Sequence, residues 1–177
     1  MRRTGPRPIQ RCFLGLRSCS IHGKVSFNPP LKTGGSVASK VMVTGLLNVC
    51  SAASSGGARF NNGHLSALVG TLSANDCASL GSGTAPLISG GSIKWTPPSK
   101  VAMSTGISMP TGTGSVVTSG AKPHIQVVYS GGSIAGGSFS NSGATSLTMT
   151  SDQDSAQIQS RCTTGLSSVA FKGTATL

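Results

Sequence analysis

The sequence predicts an all-β protein, a single-domain β-sandwich or flattened β-barrel of about nine antiparallel strands, and three observations predict it. Gly, Ser and Thr make up 72 of the 177 residues. Glu is absent and the only acidic residues are Asp76, Asp152 and Asp154, so the side chains that normally cover helix surfaces are missing. Apolar residues alternate with polar ones in short runs bounded by Gly, Ser, Asn and Pro, which is the two-residue period of half-buried strands. A hydrophobic content of 37%, carried mainly by Val, Ile, Leu and Ala, gives the chain enough apolar surface to fold. No run of about 18 apolar residues occurs, so no helix is expected to cross a bilayer.

Residues 1–18 differ from everything that follows. They carry Arg2, Arg3, Arg7, Arg11 and Arg17, no acid, and a single short apolar run, Phe13-Leu14-Gly15-Leu16. Arg2-Arg3 and Leu16-Arg17-Ser18-Cys19 resemble fragments of export signals, but such signals need a longer apolar segment. The expectation is a basic tail, disordered or created by a wrongly assigned start that omits the export signal. Residues 19–177 are expected to form the all-β domain.

The first strand runs from Cys19, with Ile21, Gly23, Val25 and Phe27 on one face and His22, Lys24 and Ser26 on the other. Asn28-Pro29-Pro30 is expected to stop it. The second spans about 39–50, with Val41, Val43, Gly45, Leu47 and Val49 alternating. Further strands are expected at about 64–73, 92–96, 101–109, 124–130, 144–150 and 155–162. The last covers 167–177, where Val169, Phe171, Gly173, Ala175 and Leu177 share a face. The phrase Gly-Gly-Ser recurs at 34–36, 90–92 and 131–133, before or between strands, where Gly supplies a positive φ.

Five cysteines form no Cys-x-x-Cys pair, which argues against structural zinc. Setting Cys12 aside in the tail leaves Cys19, Cys50, Cys77 and Cys162, a set that suits two disulfides in an exported protein. Cys19 opens the first strand and Cys50 closes the second, so Cys19–Cys50 is the favoured pair and Cys77–Cys162 the remainder. Two other pairings are formally open, as is a set of reduced, buried thiols.

Several phrases carry a resemblance. They are Cys-Ser-Ile-His-Gly-Lys-Val-Ser-Phe-Asn-Pro-Pro-Leu at 19–31, Val-Thr-Gly-Leu-Leu before Cys50, and Asn-Asp-Cys-Ala-Ser-Leu at 75–80. Gly-Gly-Ser-Ile-Lys-Trp at 90–95 and the closing strand from Cys162 complete the order. Over about residues 19–177 the chain resembles the secreted Gly/Thr/Ser-rich β proteins of unknown function common in actinobacteria. The resemblance implies an extracellular or cell-surface location and a β fold, and implies no activity.

The residues offer little chemistry. His22, His64 and His124 lie in or beside strands and read as surface or capping groups. A Ser-His-Asp hydrolase would have to draw its acid from three Asp, and Gly-x-Ser-x-Gly is absent. Asp152-Gln153-Asp154-Ser155 lacks the further ligands of a calcium loop and reads as a polar turn. Gly81-Ser-Gly83 and Gly112-Thr-Gly114 read as turns. No catalytic residue, metal or cofactor is expected.

The formal charge of +11 falls to +6 once the tail is removed, with nine Lys and Arg spread along 18–177. That spread does not support sequence-specific nucleic-acid recognition. It admits attraction to anionic polymers such as those of cell walls. The expected function is non-catalytic, a structural or binding role for cell-wall polyanions or a small ligand. A Ser/His-based hydrolase and a self-assembling coat or fibre subunit are the alternatives.

Overall fold

A computed structural model describes residues 18–51, 62–81, 83–96, 104–136 and 145–177. The Arg-rich tail, Cys12, Arg59 and Lys100 lie outside the described residues, as do the starts of the strands expected at 101 and 144. The described residues form ten strands: β1 (Ser18–Leu31), β2 (Ser39–Ser51), β3 (Asn62–Leu72), β4 (Gly83–Ala85), β5 (Ile88–Thr96), β6 (Ser104–Met109), β7 (Thr111–Ser119), β8 (Lys122–Ala135), β9 (Thr145–Asp154) and β10 (Leu166–Thr176). A 3-10 turn (Cys77–Leu80) precedes β4, and one helix, α1 (Ser155–Cys162), joins β9 to β10.

The all-β class holds, and the sheet closes. All pairings between the ten strands are antiparallel, and the order β8-β6-β5-β3-β2-β1-β10-β9 returns to β8 through a β8–β9 pairing, a ring of eight strands. Closure pairs the edges that an open sheet would leave exposed. β6 and β7 are halves of one long strand separated at Pro110, which has no N–H for the ladder. β6 pairs the C-terminal end of β8 and β7 its N-terminal half. β4 adds to the outer side of β7.

Alternation explains the wall. Ile21, Phe27, Val41, Val43, Leu47, Phe171 and Ala175 are buried in the interior, while His22, Lys24, Lys40 and Lys172 are exposed. Apolar side chains therefore face in and polar ones out, the reverse of strands that cross a bilayer. No described helix is long and apolar enough to span a membrane.

The structure corrects four local expectations. Asn28-Pro29-Pro30 does not stop the first strand; β1 continues to Leu31 across a register shift between Ser26 and Leu31. Gly112-Thr-Gly114 is strand, not turn: a Cβ on Gly112 would sit 2.8 Å from the Tyr129 ring, which covers the bare backbone. The second and third Gly-Gly-Ser phrases are bulges inside β5 and β8, where Gly90 (φ 82) and Gly131 (φ 70) take the positive φ at register shifts.

Residues 155–162 are the helix α1 rather than a strand. Asp154 caps it: its Oδ1 accepts from Gln157 N at 2.8 Å while Gln157 Oε1 accepts from Asp154 N at 3.1 Å, a reciprocal capping box. Ile158 and Cys162, four residues apart, form its buried face.

Lys122 Nζ lies 3.1 Å from Asp154 Oδ2. The Gln157 backbone N–H, and after it the Lys122 ammonium, hold the Asp154 carboxyl below its ordinary value. A carboxyl lowered in the folded state stabilises above its unfolded pKa and loses that contribution as pH falls through the lowered value. Asp154→Asn keeps a capping side chain but cannot titrate. Its melting temperature should therefore fall less steeply than the wild type's on acidification below about pH 4. Parallel acid slopes in scanning calorimetry would contradict this role.

Candidate apolar cavity at one end of the barrel

The two ends of the barrel interior are packed differently. At one end Ile21, Leu47, Leu65, Ile93, Ile107 and Leu147 interdigitate and leave about 10 Å3. At the other end a partly enclosed cavity of about 80 Å3 remains. Its wall is built from the C-terminal part of β1 (Val25, Phe27), the N-terminal part of β2 (Val41, Val43), and Leu72 at the end of β3. Ile125, Val127 and Tyr129 of β8, Met149 of β9, and Val169 and Phe171 of β10 complete the ring. None of the described residues lining it is charged.

Three segments close the mouth: the 3-10 turn through Ser79 and Leu80, the Ala85-Pro86 segment, and Ile158 of α1. Two disulfides are present, Cys19–Cys50 and Cys77–Cys162, the expected pairing. Cys19–Cys50 joins neighbouring strands at the packed end. Cys77–Cys162 connects the 3-10 turn to the last residue of α1, so it ties together two of the three pieces over the mouth.

Buried Asn75 fixes the same region. Its Oδ1 accepts from Val37 N at 3.0 Å and its Nδ2 donates to Pro30 O at 2.9 Å, while its backbone bonds Lys32 and Val37. Asp76 caps the 3-10 turn by accepting from Ala78 N and also accepts from Gly34 N. Sequence reading singled out Cys77 here but not Asn75, although an Asn-Asp pair before a short turn is a capping signal.

The polar groups at the cavity already have partners. Tyr129 Oη donates to Pro86 O at 3.0 Å, and burial pushes its phenol well above the ordinary range, so it stays neutral. Ser151 Oγ donates to Gln153 O and accepts from Ile125 N. The site can exclude water and hold apolar matter.

The structure separates the histidines considered for hydrolysis. His22 and His64 lie on the outer face, on either side of Leu46 in the β1–β2–β3 register. His22 Nδ1 is 3.3 Å from Asn48 Nδ2, and His124 Nδ1 donates to Ser151 O at 2.8 Å. Asp154, one of the two acids of the calcium reading, caps α1. Among the described residues no three His, Cys or Asp side chains group as metal ligands. Comparisons with protein-family models, curated proteins and solved structures return no match for this chain.

Proposed function

We propose that this chain is an exported, non-catalytic binding protein whose ligand is a single aliphatic chain held in the apolar end of the barrel. The observation that carries this reading is the contrast between the packed end and the hollow end of one continuous interior. Eight-stranded barrels have interiors just wide enough to be filled by side chains or to hold one small ligand. A volume of about 80 Å3 is roughly half that of an apolar cavity that admits benzene, which favours a slender chain over a ring. The uncharged lining excludes a buried ionic head, so a polar terminus would sit at the mouth.

Two disulfides support export, because such bonds persist in oxidising compartments. Closure of the ring, which leaves the three-residue β4 and the end of β7 as the free edges among the described strands, supports binding over fibre or coat assembly through strand edges.

Calorimetric titration with a series of straight-chain alcohols tests the reading. Affinity should rise about fourfold per added methylene until the cavity is full, and then level off. Val127→Trp, which fills the space from the wall, should weaken binding at least tenfold. Wild-type protein that takes up no member of the series, or a variant that binds as well as wild type, overturns it.

A further inference from the structure

Three lysines that are scattered in sequence, Lys24, Lys40 and Lys172, are gathered by strand register onto the outer face of the neighbouring strands β1, β2 and β10. Lys94, His64, Leu46, His22 and Lys172 are successive cross-strand partners on β5, β3, β2, β1 and β10. Within that row Leu46, His22 and Lys172 lie on adjacent strands and span about 10 Å, whereas His64 and Lys94 continue around the closed wall. Lys24 lies two residues from His22 on the same face of β1, and Lys40 lies on the same face of β2 as Leu46. The four lysines and two histidines are all exposed. The five strands that carry them contain no acidic residue; Asp76, Asp152 and Asp154 lie elsewhere.

The same face carries an apolar ridge. Met42 (37% exposed) and Leu46 (43% exposed) project outward from β2 among these cations. Val49, which does not continue the Met42–Leu46 alternation, is 82% exposed at the end of the strand and has φ 48. A β-branched residue disfavours that left-handed conformation, and an exposed side chain gains no packing in return. The residue sits at the bulge between the β1 and β2 registers, beside the Cys19–Cys50 bond.

We propose that this face docks the protein on an anionic phospholipid surface, with Met42 and Leu46 entering the interface and Lys24, Lys40 and Lys172 meeting the headgroups. A hydrophilic polyanion would use the lysines but gain nothing from an apolar ridge. A second copy of the chain would bring cations against cations. A bilayer of anionic lipid uses both features, since interfacial binding scales with buried apolar area and with attraction to acidic lipids. This inference does not depend on the ligand proposed for the cavity.

Co-sedimentation with phosphatidylglycerol-containing vesicles, against vesicles of phosphatidylcholine alone, tests it. The full chain should bind the anionic vesicles and not the neutral ones. Each lysine near the surface contributes about fivefold, so Lys24→Gln with Lys172→Gln should weaken binding about 25-fold. Met42→Ser with Leu46→Ser should weaken it at least tenfold, while Val116→Ser, an exposed apolar residue on β7, should leave it unchanged. Wild type that does not sediment with anionic vesicles overturns the proposal, and so does equal loss from Val116→Ser. Undiminished binding by the Met42/Leu46 double variant, together with competition by soluble polyphosphate, reassigns the face to a hydrophilic polyanion.

Discussion

Gly173→Val is expected to destabilise the protein by at least about 3 kcal/mol, lowering the melting temperature by about 6–12 °C for a chain of this size. Gly173 faces inward on β10 between Phe171 and Ala175. A Cβ there would collide with the Thr148 carbonyl oxygen of β9 and lie 2.8 Å from its carbon. Backbone of a paired strand cannot retreat without breaking the β9–β10 ladder.

Gly23 on β1 is constrained in the same way by Thr44 O and by Gly45 Cα, at 2.7 Å. Gly23 pairs with Gly45, and Gly173 pairs with Ile21 two residues away, so three inward glycines form one patch of wall. There neighbouring backbones approach too closely for side chains, as at the glycine kinks that let barrels curve. Ser168→Val, outward on the same strand, should change stability by no more than about 0.5 kcal/mol. Equal melting temperatures for Gly173→Val and wild type would show that the wall does not bend at this patch.

The second large effect is expected from removing Cys77–Cys162. The bond closes a sequence separation of 85, against 31 for Cys19–Cys50. Loop-entropy scaling then assigns about 4.6 kcal/mol to the longer bridge and about 3.7 kcal/mol to the shorter. Urea denaturation of Cys77→Ser/Cys162→Ser should show the larger loss. Because this bond joins two covers of the cavity mouth, amide exchange at Ile158 and Leu80 should accelerate beyond the global change. Loss of the shorter bridge should leave that local exchange tied to global unfolding. The opposite ranking, or unchanged local exchange after losing Cys77–Cys162, would contradict the role assigned to it.

Strand alternation made most of the wall legible in the sequence, because inward and outward positions differ so plainly in β1, β2 and β10. The Cys19–Cys50 pair was legible for the same reason, since the two cysteines mark the ends of adjacent strands, and Cys77–Cys162 followed only as the remainder. The helix was not, although Asp154-Ser-Ala-Gln157 is a capping-box pattern: eight residues are too few to display a helical stripe against a β background. β7 escaped because Gly112 and Gly114 read locally as turn residues, whereas Tyr129, supplied by β8, makes Gly112 acceptable in a strand.

Ring closure depends on β8–β9 register, and the cavity on how volumes sum across eight strands; neither is a local property. The cationic face was hidden similarly. Lys24 and Lys172 are far apart in the chain, yet both lie within two residues of the β1–β10 partner position at His22.

Methyl NMR during titration with a straight-chain alcohol tests the central claim most directly, that the hollow end of the barrel is a ligand site. The predicted result is saturable shifts at Val25, Val43, Ile125, Val127, Ile158 and Val169, which line the cavity, with Ile21, Ile93, Ile107 and Leu147 of the packed end unmoved. Shifts confined to outward methyls such as Leu46 and Val116, or no saturable shift at the cavity, would contradict it.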